Sequence, residues 1–250
     1  MTDYHDKAGY SSSELKAMAR GEKAWESEYW LKNKNYGNAF ALGSAMHMAI
    51  LEPDLFAKKY VYNPNIKFNT KAGKAWKQAQ EGDGKIILST TDTDTIQNAV
   101  RATKTNTFDE YPFNLSKNLY EFFNEKCVNE EEFVIKDFEL EPGLRRTVKV
   151  KPDAYFTTEE TVFIFDPKSC KQSDFNYRKN AITRYMYSVQ AIWYANILKR
   201  VLKKKNAIFY FIWIEKGAEG NIAITPYNNK QLEDYWYVCC DLIRKIEERG

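Results

Sequence analysis

The chain is poor in the residues from which many metal and redox centres are built. It has two histidines, His5 and His47, and four cysteines, Cys127, Cys170, Cys239 and Cys240, in 250 residues. No two cysteines have C-x-x-C spacing, which argues against a structural zinc site or an iron–sulfur cluster. Free thiols in a reducing compartment are the simplest account. A cysteine protease would need a histidine beside its thiol, and only His47 sits in a patterned segment. Apolar runs of 18 residues or more are missing, so no membrane span is expected. The opening MTDYHDKAGYSSSELK is polar and lacks the apolar core of a signal peptide, so the default expectation is a cytoplasmic protein. Net charge is scarce too. Lys and Arg number 37 against 34 Asp and Glu, which leaves +3. Bulk charge therefore does not announce a nucleic-acid partner, and any basic footprint has to be local. Repeats, low-complexity tracts and long linkers are also missing.

What is present is apolar and aromatic. At 44% hydrophobic and 15% aromatic residues the chain can bury a substantial core. The length fits one large domain or two small ones, and the pattern reads as one, 1–250, in two parts. Residues 1–125 are mainly helical. Ser11, Ser12 and Ser13 are N-cap candidates before ELKAMARGEKAWESEYWL. The Asn-rich KNKNYGN follows, then ALGSAMHMAILEP as a short apolar helix stopped at Pro53, and another turn or two in DLFAKKY. A loop runs from Pro64 to Thr70. KAGKAWKQAQEG and Thr90 to Thr105 read as helices. Residues 126–250 change character. EEEFVIKDFEL, RRTVKVKPDAYF and TVFIFDPKSC are three consecutive strand candidates, with turns at Glu141–Gly143 and Thr157–Glu160. A long helix from Phe175 to Lys203 follows, then the buried strand NAIFYFIWIEKG, a further strand in GNIAITPYN and a closing helix. The expected fold class is α/β, with a mixed sheet in the order αβββαβ.

Two of these strands carry chemistry. Side chains alternate along a strand, so Asp166 and Lys168 in FIFDPKSC share a face. In VKVKPDAYF, Lys149, Lys151 and Asp153 share one face and Val148 and Val150 the other. If the two strands pair as a hairpin, two carboxylates and an ammonium converge on a polar edge. That trio suits metal-assisted phosphodiester hydrolysis, with hard oxygens holding Mg²⁺ and the lysine steadying water or developing negative charge. Solvated strand ends are the bland alternative.

The placement of Asp153 on the second strand and Asp166-x-Lys168 on the third resembles the core of the restriction-endonuclease-like, or PDDEXK, nucleases. Four stretches, in order, are similar to the nuclease domain of the prophage exonuclease VIII type. They are YHDKAGYSSSELKAM, ALGSAMHMAILEPDLF, VKVKPD with DPKS, and YMYSVQAIWY. The basic, Trp-containing KFNTKAGKAW adds to them. The resemblance implies a Mg²⁺-dependent exodeoxyribonuclease, with Mn²⁺ able to substitute, in the cytoplasm of a bacterial host cell. It implies attack on duplex DNA ends, 5′ to 3′, leaving single strands for a phage-type annealing protein in recombination. It also implies closure into a homo-oligomeric ring. Two rivals of other kinds are a structure-selective endonuclease of the same fold and a non-catalytic, nuclease-like DNA-binding or inhibitory module.

The resemblance also assigns roles. Asp153 and Asp166 become metal ligands and Lys168 the catalytic lysine. His47, matching Leu-Gly-x-x-x-His with Leu42 and Gly43, becomes a metal ligand rather than a core histidine. An acid on the first strand is expected at Glu132, by alignment on the Gly143 turn, with Glu130 and Glu131 as alternatives. Pro167 departs from the pattern. Proline donates nothing to a sheet ladder, so the strand is expected to end or bulge there, with the Pro167 carbonyl a possible ligand. Tyr187, Gln190 and Tyr194 line one helical face. Gln190 is awkward in a core, and could bind a DNA phosphate or orient Lys168. Arg145, Arg146, Lys149 and Lys151 flank Asp153, and Lys67, Lys71 and Lys74 cluster earlier. Beside a metal site these groups would suit phosphate contacts that position a duplex without reading it.

Overall fold

The computed structural model describes residue 4 and residues 7–30, 38–67, 69–217 and 220–249. Most of the Asn-rich KNKNYGN, and Phe68 of KFNTKAGKAW, lie outside the described residues. The first half is helical: α1 (Ser12–Arg20), α2 (Glu22–Trp25, continued by a π turn over Glu26–Trp30), α3 (Asn38–Leu51) and α4 (Pro53–Lys59). A small parallel pair, β1 (Tyr60–Val61) and β2 (Ile86–Ile87), brackets α5 (Lys71–Gly82), and α6 (Thr90–Thr105) follows. The single turn α7 (Leu119–Glu121) runs into a π turn over Phe122–Lys126. The second half holds β3 (Val128–Asn129), β4 (Phe133–Glu141), β5 (Leu144–Val150), β6 (Ala154–Thr157) and β7 (Thr161–Cys170). It ends with α8 (Phe175–Arg184), α9 (Tyr187–Val201), β8 (Asn206–Glu215), β9 (Ile222–Tyr227), α10 (Asn229–Asp234) and α11 (Trp236–Glu247). No helix among the described residues is long and apolar enough to cross a membrane.

The main sheet has the order β3-β6-β7-β8-β9, parallel only between β7 and β8. That parallel step needs a crossover, which α8 and α9 supply. Alternation along β7 then divides two cores. Val162 and Ile164 face a cluster with Leu15, Val189, Trp193 and Ile243, from α1, α9 and α11. Phe163 and Phe165 face a second cluster with Met46, Ile50, Ile96 and Phe122. Phe165 sits edge-on to Phe113 and Phe122 with ring centroids 5.5 and 5.2 Å away. Truncating so enclosed a phenylalanine to alanine costs about 3–5 kcal/mol.

Three expected elements differ, each for a backbone reason. RRTVKVKPDAYF is two strands. β5 leaves to pair with β4 as a separate hairpin, the chain bends through residues 151–153, and β6 joins β7 in the main sheet. Pro152, which has no N–H to give a ladder, lies in the bend. The helix expected from Phe175 to Lys203 breaks after Tyr185, because Met186 is left-handed at φ 52°, ψ 40°. The expected end or bulge at Pro167 does not occur, and β7 keeps register with β8 through Cys170. The carbonyl of Cys170 accepts from the Lys216 N–H on the β8 side. By alternation, Pro167 therefore points away from β8. On that side, pairing with β6 stops at Phe165, so the missing N–H breaks no ladder bond.

The N-terminal segment is sewn onto β5. Tyr10 N–H donates to the Thr147 carbonyl, and Lys149 N–H to the Tyr10 carbonyl, at 3.0 and 2.9 Å. Gly9 has φ 120°, and a Cβ there would lie 2.9 Å from Thr147, so this approach requires glycine. Lys149 is buried, with Nζ donating to the carbonyls of Tyr4 (3.2 Å) and Lys7 (2.6 Å). These contacts fix where α1 starts, with Ser11 capping Glu14 N–H.

Candidate active site

Because β6 begins opposite Phe165, the last part of β7 has no strand on one side among the described residues. A cavity of about 530 Å³ opens there, lined by Lys16, His47, Glu130, Asp153, Lys168 and Tyr187 among others. Asp166 and Lys168 continue the α9-facing alternation of β7. α3 covers the unpaired edge from the other side. A Cβ on Gly43 would only touch Ser169 Oγ at 3.9 Å, so close approach of α3 does not depend on that glycine.

At one end of the cavity, His47, Glu130 and Asp153 each bring a ligand atom within 4.8 Å of the other two. His47 Nδ1 is 3.4 Å from Asp153 Oδ2. Burial, reinforced by the charge of Lys168, lowers the His47 pKa to about 4. The imidazole is therefore neutral near pH 7 and able to act as a ligand. The Pro167 carbonyl beside the imidazole works weakly against that shift. Glu130 sits left-handed at φ 54°, and its N–H donates to the Asp153 carbonyl at 3.1 Å. That bond ties the two acids together through the backbone. Burial raises the Glu130 pKa, against the pull of Lys151 at 3.2 Å. Asp153 is held well above the ordinary carboxylate range by burial and then by the neighbouring Asp166. Its Oδ2 is buried without a hydrogen-bond donor among the described residues.

The other end is compensated from within. Asp166 is 1% exposed. The ammonium of Lys168 lies against its Oδ1 as an ion pair, out of line for a hydrogen bond. Gln190 Nε2 donates to Oδ2 at 2.6 Å, and Lys16 Nζ donates to Gln190 Oε1 at 2.8 Å. Burial would lower the Lys168 pKa, but Asp166 and Asp153 outweigh it and hold the lysine protonated. Burial, and next the charge of Lys168, lower Lys16 to about 8. The Tyr187 ring lies near both ammonium groups, its centre 4.9 Å from Lys168 and 5.5 Å from Lys16. Tyr194 lies in the cavity wall with Ser12, and burial raises its pKa well above the ordinary value.

A buried carboxylate oxygen without a donor, a neutral imidazole and a second acid make a donor set that fits a divalent cation. A family model described as a PDDEXK-like domain of unknown function, DUF3799, matches residues 7–248. The chain belongs to the DUF3799 family. A solved structure of similar fold is a "putative exonuclease" from Eubacterium rectale. It is 14% identical, with a TM-score of 0.58 over 94% of this chain and 79% of that one. A second, SSO0001, is 11% identical, with a TM-score of 0.42 over 96% of this chain and 77% of that one. No curated protein matches. The DUF3799 chain is thus a PDDEXK-like domain, as the strand motif implied.

Of the residues singled out from sequence, the DUF3799 fold brings His47, Asp153, Asp166, Lys168, Lys151, Gln190, Tyr187 and Tyr194 to the cavity or its wall. Several expectations need correction. Glu132 is not in the ligand group. It pairs with Lys7 at 2.5 Å and Lys151 at 3.6 Å, Glu131 accepts from Tyr155, and Glu130 faces the cavity. The segment between β3 and β4 is not a strand, so face counting across it fails. Asp166 lies outside the three-residue group but next to Asp153, and it contacts Lys168 and Gln190, so its role as a ligand stays an expectation. The Pro167 carbonyl lies beside the His47 ring. Gln190 orients Asp166, not Lys168. Lys149 is buried under the N-terminal segment and cannot reach DNA. Arg145 and Arg146 lie at the far end of β5, paired with Asp137 (2.8 Å) and Glu247 (2.8 Å). Lys71 and Lys74 are exposed on α5 and do not line the cavity. Lys16 was missed, because one lysine in a helix has no pattern until Gln190 is opposite it.

Proposed function

We propose that this protein is a divalent-metal-dependent exodeoxyribonuclease that hydrolyses duplex DNA from its ends. The observation that carries the reading is Asp153, a half-buried acid whose buried Oδ2 lacks a donor among the described residues, grouped with His47 and Glu130 beside Lys168. Mg²⁺ or Mn²⁺ bound by those three residues would supply charge stabilisation at the phosphoryl oxygens. Lys168 holds a fixed positive charge where the scissile phosphate would enter and orients the attacking water. Asp166 keeps Lys168 protonated and in place, and Gln190 with Lys16 keeps Asp166 in its rotamer. His47 stays neutral and offers a lone pair. Water adds to phosphorus and the P–O bond to the leaving nucleotide breaks.

Resemblance to the exonuclease VIII type favours 5′ to 3′ polarity, single-stranded products for an annealing protein, and a ring of subunits around the product. A linear duplex labelled at the 5′ or the 3′ end, digested with Mg²⁺ or with EDTA beside a covalently closed circle, tests the reading. The expected result is metal-dependent loss of linear DNA, early release of the 5′ label and survival of the circle. Cutting of the circle would make the protein an endonuclease, and survival of linear DNA in Mg²⁺ would remove the nuclease reading.

A further inference from the structure

The cavity has an aromatic extension that the residues above do not use. Tyr187, inside it, is fully engaged. Its ring faces Lys168 and Lys16 on the cavity side and packs against Phe211 and Trp213 on the core side, at 5.5 and 6.1 Å. Tyr185, two residues earlier, is not embedded. It is 45% exposed, and its ring lies 5.5 Å from Tyr187 at an interplanar angle of 34°. The Arg184 guanidinium sits 5.6 Å from its ring centre. What brings two tyrosines at i and i+2 side by side is the left-handed Met186 between them. A continuous helix would separate them by about 200°. A non-glycine residue in that conformation is strained, and such strain concentrates at functional sites.

The helix leading to this step is one-sided in charge. From Phe175 to Tyr187 the chain has three basic residues and no carboxylate. Arg178 is committed to the Ile224 carbonyl (3.1 Å) and Thr225 Oγ (2.9 Å). Lys179 and Arg184 are exposed, with Asn176, Asn180 and Thr183. An exposed ring beside the Arg184 guanidinium, next to a cavity ring that meets two ammonium groups, suits a polynucleotide strand. Bases stack on the ring, and phosphates follow the carboxylate-free face.

We propose that Tyr185 is a base-stacking platform for a single DNA strand running along α8 to the cavity, a reading that rests on the nuclease assignment above. Every base has a π face, so the platform would hold the strand without regard to sequence.

The test uses the full chain in EDTA and a duplex with a single-stranded overhang carrying 2-aminopurine. Wild type and Tyr185→Phe should quench the probe on binding. Tyr185→Ala should lose the quench and bind between about 5- and 150-fold more weakly. Lys179→Ala and Arg184→Ala should keep the quench and flatten the salt dependence of binding by about 0.7 per charge removed. The ring is surface-exposed, and an unchanged circular dichroism spectrum checks the fold of each variant. Quench and affinity in Tyr185→Ala equal to wild type would overturn the platform while leaving the nuclease reading intact. Failure of the wild type to bind would also overturn it, and would take the nuclease reading with it only if linear duplex survives in Mg²⁺ as well.

Discussion

The two ends of the cavity bury carboxylates in opposite ways, although Asp153 and Asp166 come from neighbouring positions across the β6–β7 pairing. At the lysine end, Asp166 is closed within a network. Lys168 neutralises it, Gln190 donates to it, and Lys16 holds Gln190. At the acid end, Asp153 has an oxygen without a donor, and its neighbours are another acid and a neutral imidazole. At one end the acid is met by an ammonium and an amide, and at the other by a second acid and a neutral imidazole. A buried carboxylate by itself therefore says little, and what surrounds it decides whether it stabilises the fold or recruits a ligand.

Removing each aspartate should separate the two ends. Asp166→Ala leaves Lys168 enclosed without its counter-charge and should destabilise the metal-free protein by about 3–5 kcal/mol, read by urea unfolding. In the folded fraction of either Asp153→Ala or Asp166→Ala, cleavage should fall at least on the order of 10²–10³-fold. Wild-type rates in either would break the comparison. Asp153→Asn should do the reverse to stability, raising that of the metal-free protein by about 1–3 kcal/mol, since it removes an uncompensated charge.

The same difference predicts a pH dependence. The folded protein holds the Asp153 proton to higher pH than the unfolded chain does. Its contribution to metal-free stability is thus fully present below the unfolded value of 3.8 and is lost as pH rises through the elevated folded value. Asp153→Asn should flatten that slope, and cation affinity in the wild type should rise over the same interval as the proton leaves. A metal-free stability slope identical in the two proteins would contradict this. The smallest effect is expected at Lys16. Its ammonium, with a pKa of about 8, is charged below that pH and neutral above it. Cleavage should therefore weaken above pH 8 in the wild type, by about tenfold at most for one hydrogen bond to a polar side chain. Lys16→Arg should move that limb upward, and Lys16→Met should remove it.

Much of this was legible in the sequence where periodicity governs. The alternation of TVFIFDPKSC placed Asp166 and Lys168 on one face, and the α9 face held Tyr187, Gln190 and Tyr194 together. Illegible parts were those where the backbone leaves its period. Pro152 splits one apparent strand into two sheets, and left-handed Met186 splits one apparent helix. Left-handed Glu130 turns the expected first-strand acid into a loop residue, so counting from Gly143 reached Glu132 instead. Pro167 misled in the other direction. Its lost N–H matters only if a strand lies on that side, and none does. Lys149, Arg145 and Arg146 read as a basic patch near Asp153 because sequence does not show which partners a long side chain finds.

The account turns on a cation held by His47, Glu130 and Asp153. The most direct measurement is calorimetric titration of Mn²⁺ into Glu130→Gln and Glu132→Gln side by side with the wild type. Glu130→Gln should bind at least about tenfold more weakly, the lower bound for disturbing a metal site, and Glu132→Gln should bind as the wild type does. Undiminished binding in Glu130→Gln, or a loss confined to Glu132→Gln, would contradict the site.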